Sequence, residues 1–157
     1  VDNMLVTQNV VGFDGLMHFY QDHNFENEFS KNFFEKFPYE KIKPMLYFSE
    51  WSEQLGEVFK DAKYHGNTAT FPGFYAPQGR QLRLKSLDDK FLETLNDLGV
   101  TNFEMETSAI YAFSKLLGHK AITVNNVIAN RRRGEFSSDH HASEKNLIEW
   151  VLDRIIK

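Results

Sequence analysis

The sequence predicts an α/β protein built around a mainly parallel sheet. Runs rich in Val, Ile, Thr and aromatic residues alternate with segments whose apolar residues recur every three or four positions. The clearest unit occupies residues 100–130, where a strand precedes an amphipathic helix over 109–117, which Gly118 ends, and a second apolar run covers 121–130. Because that run has no charged residue, we expect a strand buried on both faces and a parallel crossover between the two strands.

The elements before this unit alternate in the same way. We expect a strand over 1–11 that ends at the Asp14-Gly15 turn, a helix over 24–37 stopped by Pro38, and a strand over 41–50. A helix with Ser49 or Ser52 as its N-cap should follow and end at Gly66, before a strand over 67–71. Two prolines and two glycines make residues 72–80 a shaped loop. Ser86 and Asp89 resemble a capping box that opens a helix closed by Gly99.

The last predicted helix carries an uninterrupted apolar stripe. The stripe consists of Leu147, Ile148, Val151, Leu152, Ile155 and Ile156, at i, i+3 and i+4 spacing. We expect it to dock on an apolar surface.

Composition limits the possible classes of function. The 157 residues suffice for one domain with its own core, since 41% are hydrophobic and fifteen are phenylalanine. The net charge of −4 argues against nucleic acid as a partner. Cysteine is absent, which excludes disulfides and thiolate metal sites, and no apolar run approaches the ~18 residues of a membrane span. No secretory signal is visible, so a cytoplasmic protein is expected, and the opening Val1 suggests a fragment.

The loop over residues 74–80 combines an aromatic plane, an amide and a guanidinium. The amide of Gln78 presents an acceptor beside its donors, which matches the edge of a cyclic imide or lactam, and Arg80 supplies a cation for a carbonyl oxygen. A pyrimidine would be bound by groups of this kind. The alternative is that both polar residues are solvated parts of a surface loop.

Two carboxylates flank Met105 at the end of the strand that begins at Val100. Alternate residues of a strand share a face, so we expect Glu104 and Glu106 to point the same way unless the following helix interrupts the strand. Such carboxylates accept hydrogen bonds from two vicinal hydroxyls, as a ribose presents them. The alternative is an exposed acidic pair that caps the positive end of the helix.

The remaining polar clusters indicate little chemistry. In the triplet over 131–133 only Arg131 lies close to the end of the second apolar run, and three arginines in an acidic chain are typical of an exposed turn. The pair His140-His141, with Asp139 and Glu135 nearby, does not complete a tetrahedral metal site, because adjacent histidines point to different sides of a helix. No Gly-x-Ser-x-Gly motif is present, so a hydrolase triad has no support.

Three segments together resemble the uridine phosphorylases of the hexameric nucleoside phosphorylase family. They are Gly73-Phe74-Tyr75-Ala76-Pro77-Gln78-Gly79-Arg80, Asn102-Phe103-Glu104-Met105-Glu106-Thr107-Ser108-Ala109 and Val127-Ile128-Ala129-Asn130-Arg131, in matching order and spacing. The resemblance implies a three-layer fold with a mixed, mainly parallel sheet flanked by helices. It also implies a single nucleoside phosphorylase domain over residues 1–157, the carboxy-terminal portion of an incomplete fold.

The resemblance further implies a reaction and assigns residues to it. The reaction is reversible phosphorolysis of uridine to uracil and ribose 1-phosphate in pyrimidine salvage, with inorganic phosphate as co-substrate and no metal or organic cofactor. By the resemblance, Phe74 stacks near the base, Gln78 and Arg80 bind the uracil edge, Arg131 supports Arg80, Glu106 binds the ribose hydroxyls, and Glu104, Met105 and Ile128 complete the substrate site. Arg80, Arg131 and Glu106 would be catalytic, because they stabilise charge on the departing base and on the sugar.

The chain departs from the family pattern at the phosphate site. The family holds phosphate with an amino-terminal Gly-Asp strand, an arginine and a glycine-rich loop, and a neighbouring subunit lends a histidine and an arginine; none of these is found in the sequence. We therefore expect a uridine phosphorylase without its amino-terminal third, assembled as a homo-oligomer, either a dimer or a hexamer built from dimers. One alternative is an inert fragment that only binds a base or forms oligomers. Another is a relative of the purine phosphorylases or nucleosidases, which place an aspartate just after the strand that reads Val127-Ile128-Ala129-Asn130 here.

Overall fold

A five-stranded mixed sheet carries most of the fold in the computed structural model, which describes residues 1–20, 25–80, 83 and 90–156. Its strands are β1 (Asn3–Gly12), β2 (Tyr47–Glu50), β3 (Tyr64–Thr70), β4 (Val100–Glu104) and β5 (Val124–Val127), while β6 (Ala129–Asn130) and β7 (Glu135–Phe136) form a separate antiparallel ribbon. The helices are α1 (Glu28–Lys36), α2 (Glu53–Val58), α3 (Phe91–Asp97), α4 (Thr107–Leu116) and α5 (His140–Ile155).

The strand order is β2-β1-β3-β4, and β5 also pairs with β1. Strands β1, β3 and β4 are parallel, whereas β2 and β5 run antiparallel to β1. Strand β3 pairs along one edge of β1, and two strands share the other edge of β1. Residues 3–6 of β1 pair with β5, and residues 9–12 of β1 pair with β2. The mixed sheet flanked by helices is thus confirmed.

The parallel crossover expected over residues 100–130 is wrong. After α4 the chain returns beside β1, and β5 runs in the opposite direction, with Val127 opposite Asn3. The residues of β5 are half buried, not enclosed on both faces, and the strand ends before Ile128. A short apolar run carries no information about which strand it will pair with, or in which direction.

The core is largely aromatic and is centred on Phe13, just after β1. The Phe13 ring stacks on Phe71 with 4.6 Å between centroids, and it meets Phe33, Phe37 and Phe91 edge-on. All five side chains are buried. The phenylalanines that stood out in the composition therefore hold α1, α3 and the ends of β1 and β3 together.

Two helices begin or end at other residues than the pattern predicts. Helix α1 begins at Glu28 because Asn27 forms a capping box with Ser30. Helix α2 ends at Val58, and Gly66 lies inside β3 and does not stop the helix. Pairing of residues 64–66 with β1 outweighs the helical pattern there. The expected helix start at Asn24 and the capping box at residues 86–89 fall outside the described residues.

The strand expected over 41–50 begins only at Tyr47. A 3-10 turn occupies Lys43–Met45, and Pro44 within it has no N–H to donate to a neighbouring strand. Gly118 has a φ of 72° and ends α4 as expected, and residues 72–80 form a loop. The strand expected over 67–71 is present as β3 but begins at Tyr64 and ends at Thr70.

Helix α5 packs less than its apolar stripe predicts. None of its residues is buried, and Ile148, Leu152, Ile155 and Ile156 are exposed. Contacts of two other side chains fix the helix instead: the Trp150 ring lies 5.5 Å from that of Phe59, and Arg154 binds Asp61 at 2.7 Å. The described residues of this chain therefore do not cover the whole stripe, and its docking on an apolar surface stays a prediction. No helix in this part of the chain has the length and hydropathy to cross a membrane.

Tyr111 connects α4 to the sheet. Its hydroxyl donates to the carbonyl of Thr7 at 2.7 Å and accepts from the N–H of Thr123 at 2.8 Å. Burial raises the pKa of Tyr111 to about 12. A tyrosine in the unfolded chain ionises near pH ~10, so the stabilisation linked to this group is complete below pH ~10 and is lost as the pH rises to about 12.

We expect this ionisation to make the free energy of unfolding fall by about 1.4 kcal/mol per pH unit within that window. Urea titrations at several pH values between ~9 and ~12 measure the slope. Tyr111→Phe should reduce the slope by that amount, whereas Tyr64→Phe, a change at an exposed tyrosine, should leave it as it is. Equal slopes in both variants would mean that Tyr111 ionises alike in the folded and unfolded states.

Candidate functional site

The loop that follows β3 presents the residues expected to bind a base. A 3-10 turn at Ala76–Gln78 leads into Gly79, whose φ of 75° lies in the left-handed region. A side chain at Gly79 would also meet Leu92 at 3.1 Å, so glycine is required on both grounds. The turn buries Gln78 to 2% exposure and leaves the Phe74 ring half exposed. A buried amide thus lies next to an accessible aromatic face.

Arg131 holds Gln78 in place. Its Nη1 donates to the Gln78 carbonyl at 3.0 Å, and its Nη2 donates to the side-chain oxygen Oε1. The two residues are 53 positions apart, so this contact brings the segment after β6 onto the loop after β3. Within the described residues, the second lone pair of Oε1 and the N–H donors of the amide have no partner, and together they still match an imide edge.

Arg80 and Arg131 approach the same aromatic ring. Each guanidinium carbon lies 5.1 Å from the centroid of Phe74, and that of Arg80 lies 5.2 Å from Tyr75. Burial, with the charge of Arg80 beside it, lowers the pKa of Arg131. Within the described residues neither arginine forms a salt bridge with a carboxylate. Two neighbouring cations without such a partner favour a carbonyl oxygen or an anion as ligand.

The carboxylate of Glu104 accepts hydrogen bonds from several donors of the protein itself. Oε2 accepts from the N–H of Glu106 at 2.8 Å, the N–H of Thr107 at 2.6 Å and the Thr107 hydroxyl at 2.8 Å, and Oε1 accepts from the Thr70 hydroxyl. Glu104 therefore caps the first turn of α4, as the capping alternative predicts. Glu106 is the N-cap residue of α4 with an exposed side chain, so the two carboxylates no longer follow the alternation of a strand.

Two large apolar side chains complete the predicted set. Met105 is 45% exposed in the turn between β4 and α4, and Ile128 is 49% exposed between β5 and β6. Exposed apolar side chains next to a few polar groups suit the faces of a base or a sugar.

Strands β3 and β4 place two segments at one edge of the sheet: the loop over residues 71–80, here called the base loop, and the turn over residues 104–106, here called the acidic turn. The strands are parallel, Thr70 stands opposite Glu104, and the N–H of Phe71 donates to the Glu104 carbonyl at 3.0 Å. Both segments therefore leave from the carboxyl ends of neighbouring parallel strands, where ligands bind in such sheets. The structure joins Phe74, Gln78, Arg80 and Arg131 by direct contacts, with the turn over 104–106 following the adjacent strand.

A buried polar network lies behind the acidic turn, and no sequence motif indicated it. The Tyr47 hydroxyl lies 2.6 Å from Ser108 Oγ and donates to Asp14 at 3.1 Å, and the N–H of Ser108 donates to the Thr70 hydroxyl at 3.0 Å. Burial raises the pKa of Tyr47 above its ordinary value. Only the register of β3 against β4 could have identified Thr70, because that register sets it opposite Glu104.

The histidine pair forms a local contact. The rings of His140 and His141 lie 4.1 Å apart, and His141 Nδ1 lies 3.7 Å from Glu144. In the described part of the chain no three His, Asp or Glu side chains are placed to share a metal ion.

The fold is that of the nucleoside phosphorylases. The nucleoside phosphorylase of Trypanosoma brucei, which shows uridine phosphorylase activity, matches 98% of this chain with a TM-score of 0.76 and 23% identity. The uridine phosphorylase of Schistosoma mansoni in complex with uracil matches 98% with a TM-score of 0.60 and 18% identity. The aligned region covers 57% and 54% of those two chains.

Sequence similarity points to the uridine phosphorylases in particular. The uridine phosphorylase of Thermococcus kodakarensis is 36% identical over 113 residues, which is 64% of this chain and 39% of that protein. The matched segment therefore spans well under half the length of this curated relative. No protein-family model matches the chain. The resemblance to uridine phosphorylases drawn from the three motifs is confirmed by these similarities.

Proposed function

We propose that the chain forms the base-binding and ribose-binding part of a uridine phosphorylase. In this reaction phosphate attacks the anomeric carbon of uridine, the bond from that carbon to the base nitrogen breaks, and its electron pair leaves with uracil. Ribose 1-phosphate is the second product. Negative charge grows on the base and positive charge on the sugar, so electrostatic stabilisation of both is the main task of the protein.

The contact cluster of Gln78, Arg80 and Arg131 carries the proposal. Gln78 is buried and held by Arg131, and its amide offers the acceptor and donor that the N–H and C=O of a uracil edge require. Arg80 has no salt-bridge partner among the described residues, and it supplies positive charge to a carbonyl oxygen that becomes more negative as the base departs. Phe74 provides a face for stacking. The uracil complex of the Schistosoma mansoni relative supports this assignment.

In this proposal Glu106 binds the sugar. Its carboxylate is exposed, and vicinal ribose hydroxyls are suitable donors to it. A negative charge beside the ring also stabilises the positive charge that develops on the anomeric carbon. Met105 and Ile128 supply apolar contact to the nucleoside.

Purines are the competing ligands. The purine enzymes place an aspartate after the strand equivalent to residues 127–130, where this chain has Arg131, and Asp139 lies at the N-cap of α5. Calorimetric titration of the 157-residue chain should therefore show uracil binding at least about tenfold tighter than hypoxanthine, because an unmatched polar edge costs ~1.5 kcal/mol or more. Arg131→Ala should weaken uracil binding, while the neighbouring exposed Arg132→Ala should not. Tighter binding of hypoxanthine would exclude the uridine assignment.

A chain that binds the base without turning over the nucleoside is the alternative. It follows from the coverage of only 39% of the curated relative, and it makes the same binding prediction. Phosphate-dependent release of uracil from uridine by the 157-residue chain supports the enzyme, and binding without release supports the alternative. The homo-oligomer, the cytoplasmic location and the lack of a cofactor stay predictions.

A further inference from the structure

We propose that Thr70 and Glu104 are positioning residues that hold Glu106 in place for the ribose, and that Glu104 does not itself contact the sugar. The inference rests on the proposed function, because it concerns the ribose side of the same site. It differs from the assignment implied by family resemblance, in which Glu104 belongs to the substrate-binding set.

The hydrogen bonds of Glu104 leave little capacity for a ligand. An ionised carboxylate has about four acceptor positions, and four donors occupy this one: the Thr70 hydroxyl, the Glu106 N–H, the Thr107 N–H and the Thr107 hydroxyl. Two of these donors are N–H groups at the start of α4, which have no partner inside the helix. Three of the donors crowd Oε2, so a sugar hydroxyl could bind there only by displacing a donor of the first turn of α4, and Oε1 is already held by the buried Thr70 hydroxyl.

The same bonds determine where Glu106 lies. Glu104 binds the N–H of Glu106 at 2.8 Å and both donors of Thr107, so the backbone is held on each side of the Glu106 Cα. Among the described residues, the Glu106 side chain itself accepts one long hydrogen bond, from the N–H of Met105 at 3.3 Å. Its position therefore depends on the backbone that Glu104 fixes, and its carboxylate stays available for a ligand.

Thr70 anchors this turn to the sheet. Its hydroxyl donates to Glu104 Oε1 and accepts from the N–H of Ser108 at 3.0 Å, and the residue is 1% exposed. The base loop begins with the next residue, Phe71. One buried hydroxyl thus connects the strand that carries the base loop to the turn that carries Glu106.

Thr70→Val tests the role of this hydroxyl while keeping the shape of the side chain. The measurement is the ratio of the dissociation constants for uridine and uracil, obtained by calorimetry on the 157-residue chain. Because only uridine carries the ribose, we expect the ratio to rise about tenfold, the scale of one hydrogen bond to a charged group. Thr70→Ser keeps the hydroxyl and should give the same ratio as the unmodified chain. Thr101→Val removes an exposed hydroxyl of β4 that binds the Asn67 carbonyl, and should leave the ratio unchanged.

A double-mutant cycle separates positioning from direct contact. Glu106→Gln alone should raise the ratio, and Glu104→Gln should add nothing further once Glu106 is already glutamine. If Glu104→Gln and Glu106→Gln raise the ratio independently and additively, Glu104 binds the sugar and the proposal is overturned. An unchanged ratio in Thr70→Val would also overturn it.

Amide hydrogen exchange tests the proposal without a ligand. The N–H groups of Glu106 and Thr107 should exchange faster in Thr70→Val than in the unmodified chain or in Thr101→Val. If the unmodified chain binds neither uracil nor uridine, the proposed function fails, and the exchange rates still decide the role of Thr70: faster exchange supports it, and equal rates overturn it.

Discussion

Replacing Arg80 with alanine is expected to lower kcat and kcat/KM of uridine phosphorolysis about a hundredfold while leaving stability nearly unchanged. In the proposed reaction Arg80 faces a base whose negative charge grows toward the transition state, so its loss should cost ~3 kcal/mol in activation free energy. Its ring contacts with Phe74 and Tyr75 lie in an exposed loop, and truncation there normally changes the free energy of unfolding by no more than ~0.5 kcal/mol. Steady-state kinetics of a polypeptide that contains this chain and turns over uridine measures the first effect, and thermal unfolding the second.

Two further variants identify the cause of the loss. Arg80→Lys keeps the charge but not the planar fork, so only partial activity should return. Arg83→Ala removes an exposed arginine three positions along and should have no effect. Unchanged phosphorolysis by Arg80→Ala, together with a lower unfolding temperature, would make Arg80 a structural residue and remove the loop from the base site.

Phe13→Ala should have the largest effect on stability, lowering the free energy of unfolding by about 3–5 kcal/mol. The ring is 4% exposed, stacks on Phe71 and touches three further phenylalanines, so its removal leaves a cavity that its rigid neighbours cannot fill. Urea unfolding measures the loss.

Phe19→Ala is the matched control for Phe13→Ala. Phe19 is 86% exposed, and its truncation should change the free energy of unfolding by no more than ~0.5 kcal/mol. A similar loss in both variants would mean that the aromatic cluster is not the centre of the core.

Local patterns in the sequence predicted most elements and the residues of the base loop. The spacing that predicts α4 and the glycine that ends it act over one or two turns, and the turn chemistry of residues 72–80 is equally local. The pair formed by Gln78 and Arg80 was recognisable because both lie on one short segment.

The sequence alone could not predict the features that depend on which strands pair. The direction of β5, the contact of Arg131 with the Gln78 carbonyl and the bond from Thr70 to Glu104 all join residues more than thirty positions apart. Glu104 illustrates the limit best. Its acidic side chain fitted a ligand site and a helix cap equally well, and only its partners in the folded protein distinguish the two.

The pairing of β5 with β1 also sets the order in which the protein can assemble. Asn125 binds the hydroxyl of Thr7 across 118 positions, so nearly the whole chain must be gathered before this pair of strands forms. Topologies dominated by such distant pairings fold slowly. Arg131 comes only four residues after β5, and it cannot reach Gln78 until β5 has docked. The proposed binding of a base should therefore require the pairing of β5 with β1, one of the slow steps in folding.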